Sequence, residues 1–317
     1  MAALPDPALG RLLRAIDLQL GDLARPLARL LAGQVRASAA GALPARRLPG
    51  LLGRLRAGVA RLFGDGPDAV LDGQGRPAVP VARLLDQALG AAARLGAAPV
   101  LRTLAGRLRD QPALLAALRA PALSLRPAPL QPPPWQWIGA DGLRLSDRLW
   151  RAGRETERQV AALLQAHVAR GTPVAEVARD LEQFLTIAGR RTGGPGGEQG
   201  LYAARRLAHT ELRRAYGLGL LEAVRLSPLA AGVRWQLAAG HPASDVCDRH
   251  AGLDAYGLGP GGYPPEAAPP FPAHPFCRCR LVPIDHEGLA VALGQPPAWP
   301  LTSDGIAALV LGRPWPE

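Results

Sequence analysis

All three cysteines of the chain fall in two short clusters, CDRH at 247–250 and HPFCRC at 274–279, each with a histidine three residues from a cysteine. Thiolate sulfur and imidazole nitrogen are the donors a structural zinc ion takes, four at a time in a tetrahedron, often from two pairs separated by a loop. Three thiols cannot all pair within one chain, and a reducing cytoplasm disfavours disulfides. The spacing therefore predicts metal ligation by Cys247, His250 and Cys277, with Cys279 or His274 as the fourth donor. Cys277 and Cys279, at i and i+2 of an extended chain, would start about 6.6 Å apart at the backbone. Both reach one ion only where the chain twists, and Pro272 and Pro275 favour such a twist. The competing reading is of ordinary buried thiols beside surface histidines; the clustering of every cysteine favours metal.

A catalytic zinc site needs an open coordination position and a nearby acid or base. Asp248, Asp254, His286 and Glu287 lie close enough in sequence to supply one. Against an enzyme, the chain has no H-E-x-x-H and no paired carboxylates on a helix, and GGPGG lacks the Lys and Ser or Thr of a phosphate loop. A metal-dependent nuclease, or another nucleic-acid enzyme on the same cluster, is thus the second reading. The first is a protein with no enzymatic activity.

The elements that must position these residues can be read from the apolar period. Around the clusters, Val233, Trp235 and Leu237 alternate with Arg234 and Gln236, a strand pattern, and CRCRLVPI is a second candidate strand. Pairing of the two would enclose the cysteine-bearing loop. Upstream the period is helical. A helix follows Ser146, a candidate N-cap, and runs to about Arg170, and its His167 reads as a packed helix histidine and not a ligand. The next helix begins at Thr172 as cap with Pro173 at the first helical position, residues 189–200 read as a loop, and a third helix runs from Leu201 to about Leu226. On that helix Ala204, Ala208, Leu212, Ala215, Gly219 and Ala223 form a small-residue stripe, with His209, Glu211, Arg213 and Arg214 toward the polar side. Residues 8–62 and 80–119 also carry leucines at helical spacing, and the prolines from 121 to 134 stop the pattern.

Hydrophobic residues make up 48% of the 317 but aromatics only 4%, so the core is built from Ala, Leu and Val, which suits packed helices. The predicted fold is mainly α: a basic helical N-terminal region over 1–120, a proline-rich linker over 121–140, and a helical bundle over 141–290. That bundle carries a small β-hairpin-like zinc-knuckle module at 244–284, and 291–317 form a tail. All 37 basic residues are arginine, and the excess lies early: residues 1–130 hold 18 Arg against 8 acidic residues, and 131–317 hold 19 against 18. Such a segment attracts polyanions such as double-stranded DNA through phosphate contacts, although solvated amphipathic helices explain it equally. Arg205, Arg206, Arg213 and Arg214 would extend a nucleic-acid-binding face. No stretch reaches the roughly 18 apolar residues of a membrane span, and the start has no basic segment leading into an apolar one. The expectation is a soluble chain made in the cytoplasm, with no membrane partner.

Read together, LSDRLWRAGRE at 145–155, ARRLAHTELRRAYGLG at 204–219, VRWQLAAG at 233–240, SDVCDRHAGLD at 244–254 and PPFPAHPFCRCRLVPI at 269–284 resemble the phage Mu F-like minor head proteins, the head-morphogenesis family. His250 stands where the family has the second cysteine of C-x-x-C, His209 where it commonly has arginine, and Ala255 where L-D-G has glycine. The resemblance implies a minor component of the virion head, made in the host bacterial cytoplasm. It implies a role in capsid assembly and in DNA packaging or delivery, with portal, capsid or scaffold proteins as partners.

Overall fold

The computed structural model describes residues 7–37, 41–107, 134–139, 141–186, 201–227, 230–241 and 245–285. Leucine and alanine at three- and four-residue spacing dictate most of it. Helices α1 (Pro7–Arg36), α2 (Leu48–Phe63), α3 (Pro80–Arg107), α4 (Leu145–Arg170), α5 (Val174–Thr186) and α6 (Tyr202–Leu226) precede strand β1 (Ala230–Gln236). A short helix α7 (Val246–Gly252), a two-residue strand β2 (Gly262–Tyr263) and strand β3 (Arg280–Asp285) follow. The fold is mainly α with one small antiparallel sheet, as the composition predicts. Among the described residues, no helix is long and apolar enough to cross a membrane.

The chain divides into two compact units, and the division does not follow the predicted linear boundaries. Of the described residues, one unit takes 11–88 and 134–209, the other 7–10, 89–107 and 210–285. The proline run separates sequence segments, but each unit draws on both sides of it. Helices α3 and α6 each supply residues to both units. Most of that run, the expected loop at 189–200, and the tail with His286 and Glu287 lie outside the described residues.

In the first unit, Ile16, Leu20, Leu27, Leu31 and Val35 form the buried stripe of α1, and Leu51, Leu55, Val59 and Phe63 that of α2. Helix α2 packs on α4 where Gly153 meets Phe63; a Cβ at Gly153 would lie 2.6 Å from the Phe63 Cβ, so only glycine fits. The N-cap of α4 is Arg144, whose backbone N–H donates to Asp147 Oδ2 at 3.0 Å. Ser146, the expected cap, is instead buried inside the first turn. The sequence pattern marks the first turn correctly, but the carboxylate of Asp147 does the capping. His167 is 2% exposed, with Nε2 3.4 Å from Asp180 Oδ2, and burial pushes its pKa below the ordinary value. Asp17 on α1 receives Arg205 Nε at 2.8 Å and contacts His209 Nε2 at 2.9 Å, tying α1 to the start of α6.

In the second unit, the later halves of α3 and α6 approach at backbone distance. A Cβ at Gly219 would come 2.0 Å from the Ala93 carbonyl oxygen, and one at Gly96 would come 1.9 Å from that of Tyr216. The sheet order is β2–β1–β3, all antiparallel, with Val233 opposite Tyr263 and Trp235 opposite Leu281. Buried Val100, Leu220, Val224, Val233, Trp235 and the three cysteines share one core cluster.

Candidate metal centre

Three pieces of backbone converge on the thiols. Strand β1 ends at Gln236, and a turn with Gly240 at φ 68° brings in His241. Helix α7 starts with a double cap: Asp245 Oδ1 accepts from the Cys247 N–H at 2.6 Å, and Asp248 Oδ2 accepts from the Asp245 N–H at 2.9 Å. That cap points Cys247 into the core, where it is wholly buried. The third piece is the turn before β3. The Cys277 N–H donates to the His274 carbonyl at 3.2 Å, and Phe276 takes a left-handed φ of 56°. Cys277 and Cys279 therefore sit in a bend ahead of β3, which begins only at Arg280. The twist required for both thiols to approach one point is present.

The donors gather as follows. Cys247 Sγ lies 3.6 Å from Cys277 Sγ, and Cys279 Sγ lies 3.7 Å from Nδ1 of His241. With Zn–S near 2.3 Å and Zn–N near 2.05 Å, a tetrahedron has S···S edges of about 3.8 Å and S···N edges of about 3.6 Å. The two contacts match two opposite edges of such a tetrahedron. Donor atoms of His241, Cys247 and Cys279 all lie within 4.8 Å of one another, as do those of Cys247, His274 and Cys277. His241, Cys247, Cys277 and Cys279 are thus close enough to hold one metal ion.

The surroundings suit that use. His241 Nε2 lies 3.1 Å from Asp245 Oδ1 and 3.2 Å from Asp248 Oδ2. With the proton on Nε2, Nδ1 presents its lone pair to the thiols; a carboxylate on the far nitrogen is the usual outer partner of a metal-bound histidine. His274 is arranged in parallel: Nδ1 contacts the Pro275 carbonyl at 3.0 Å, while Nε2 lies 3.3 Å from Asp245 Oδ2 without a hydrogen bond. Burial, reinforced by the neighbouring thiols, raises the Cys247 pKa far above the ordinary range, and burial raises that of Cys279. Without a cation these sulfurs are protonated and electrostatically costly to ionise; a bound cation reverses that preference. The donor set of three soft sulfurs and an imidazole fits zinc.

Five candidates were expected to compete for four places; the structure groups Cys247 and Cys277 with His274, and Cys247 and Cys279 with His241. His250 is not in either group. Its ring packs on Trp235 with centroids 4.8 Å apart, its carbonyl accepts from the Tyr263 hydroxyl at 2.7 Å, and burial lowers its pKa. Its ring is turned onto Trp235 of β1 and away from the thiols. The histidine that sequence reasoning passed over is His241, which belongs to neither cysteine cluster. Its only sequence signal is its place just past the end of the VRWQL strand and four residues ahead of Asp245.

The arginines proposed as a polyanion face are largely engaged elsewhere. Arg205 pairs with Asp17, and Arg214 Nη1 lies 3.5 Å from Glu211, itself 1% exposed and so not on a polar side. Burial lowers the pKa of Arg213, which is held near Cys277 and Cys279. Arg206 is exposed, over the Tyr202 ring.

No family model, curated protein or solved structure matches the chain. The functional reading therefore rests on the residues and their geometry.

Proposed function

We propose that this chain is a minor head protein of the phage Mu F-like kind, acting in capsid assembly and in DNA packaging or delivery near the portal. Its Cys/His centre is a structural zinc site, and the protein has no enzymatic role. One observation carries the reading: the segments 233–240, 244–254 and 269–284 that resemble the family meet around His241, Cys247, Cys277 and Cys279. A loop of 253–279 that forms only a two-residue strand, β2, has little regular structure of its own, and a metal clamp at its two ends supplies what hydrogen-bonded ladders do not. Asp245 and Asp248, which with His241 also gather within 4.8 Å of one another, cap α7 and orient His241 in the structural reading.

Two measurements test this. Metal analysis of the purified protein should find close to one zinc per chain, and its removal by chelator should unfold residues 230–285 in hydrogen exchange; a metal-free protein protected in that region would overturn the zinc assignment. Mass spectrometry of particles purified from cells carrying the encoding element should find the chain at low copy in the head, and particles from a deletion should lack DNA. Its absence from purified particles would overturn the head assignment. Divalent-metal-dependent cleavage of plasmid, lost in H241A, would favour the nuclease instead.

A further inference from the structure

Arg213 is a charge without a matching carboxylate. Elsewhere on α6, Arg205 and Arg214 lie against Asp17 and Glu211. Arg213 is partly buried, and among the described residues the ionisable groups around it are Cys277, Cys279 and Arg278, with no carboxylate. We infer that Arg213 is the counter-charge of the metal centre and selects the three-sulfur donor set over the other groupings there. The inference rests on the zinc reading above.

The helix face places the arginine. Arg213, Gly217, Leu220 and Val224 recur at helical spacing along one face of α6. Leu220 and Val224 share a core cluster with the three cysteines and Phe271, and a Cβ at Gly217 would lie 2.6 Å from Phe271 Cδ1. One turn earlier, the same face carries Arg213 to Cys277 and Cys279. A guanidinium stays charged in proteins, and a charge withdrawn from water needs an opposite one nearby. The protonated thiols of the metal-free centre do not supply it. A divalent ion with three thiolates and a neutral imidazole does: two positive charges against three negative ones leave one negative charge beside Arg213. The other groupings behave differently. Cys247, Cys277 and His274 offer two thiolates, and His241, Asp245 and Asp248 offer two carboxylates. Either set leaves the ion's charge cancelled and Arg213 without compensation. Arg278 has the same sign but is exposed, so water screens it.

The test compares the reduced full-length parent with R213M and R213K. Methionine removes the charge and keeps an unbranched stem, whereas lysine keeps the charge. Zinc Kd is measured by competition with a chromogenic chelator, and thiolate number by the sulfur-to-metal charge-transfer absorption of the cobalt-loaded protein. In R213M the Kd should rise about 10- to 100-fold, and the absorption should fall by about one third as one thiolate leaves the set. R213K should keep the parent absorption and a Kd within roughly threefold. Urea denaturation separates charge from packing. The metal-free midpoint of R213M should be no lower than the parent's, because an uncompensated charge has been removed, while its zinc-loaded midpoint should be lower. A parent-like Kd and absorption in R213M would overturn the inference, as would an equal loss in R213K, a lower midpoint in metal-free R213M, or a parent that already shows only two thiolates. A parent whose cobalt form lacks sulfur charge transfer would instead remove the zinc reading itself.

Discussion

Zinc affinity should depend steeply on pH, because every thiol that becomes a ligand gives up a proton. Burial raises Cys247 and Cys279 above the ordinary thiol range, so both enter the reaction protonated at neutral pH. Cys277 lies in the same buried group, 3.6 Å from Cys247. His241 turns Nε2 toward Asp245 and Asp248, which leaves Nδ1 on the side of the thiols. A three-sulfur set releases up to three protons per ion, one for each thiol that binds as thiolate. The free state holds more protons than the bound one, so affinity rises with pH. For three protons the Kd falls about a thousandfold per pH unit, or about 4 kcal/mol, between pH 6.5 and 7.5. Calorimetric titration of zinc into the reduced protein, repeated in buffers of different ionisation enthalpy, counts the protons directly. A count of two or fewer would refute the three-sulfur set, and a set of two cysteines with two histidines would take its place.

Other perturbations follow from the same geometry. H250A should leave the zinc stoichiometry unchanged and the Kd within about threefold, costing only the packing on Trp235, about 1 kcal/mol by urea denaturation. G219V would drive a side chain into the Ala93 carbonyl and should destabilise by more than about 3 kcal/mol in the same assay. D17A leaves Arg205 and His209 facing each other without their carboxylate; after allowance for the partial exposure of Arg205, the expected loss is about 2 kcal/mol. His167 is held neutral by burial, so the unfolded chain binds its proton more readily. The stability this group contributes is present above about pH 6.5 and is lost as pH falls through that value toward its lowered folded pKa. Denaturation midpoints in H167Q should show a shallower decline below pH 6.5 than those of the parent.

Much of the fold was legible because a chain poor in aromatics has few ways to bury its leucines. The stripes of α1, α2 and α4, and the change from helical to alternating period at Val233, are local patterns that survive packing. The pairing of VRWQ with RLVPI was likewise readable, since both runs alternate and flank one loop. What the residues did not reveal is long-range. Glu211 looks polar on a helical wheel, yet it is buried. The imidazole of the candidate metal centre illustrates the same limit. Cysteine clusters direct attention to neighbouring histidines, but His241 enters the centre through a glycine turn at the end of a strand, and His250 leaves it because the turn of α7 aims it at Trp235. The two-unit division was illegible for a similar reason: proline marks where a helix must stop, and says nothing about which distant helix its neighbours will pack against.

The glycine contacts between α3 and α6 have a bearing on how the chain is made. Gly96 and Tyr216 can meet only after roughly 120 further residues have been added, which at 5 to 20 residues per second takes about 6 to 24 s. Through that interval the later half of α3 has left the ribosome while the helix that covers it does not yet exist. Its small-residue face, with Ala92, Ala93 and Val100 that end up buried, is open to whatever else is in the cell. Synthesis of this chain therefore passes through a stage in which that helix face is uncovered, until α6 arrives.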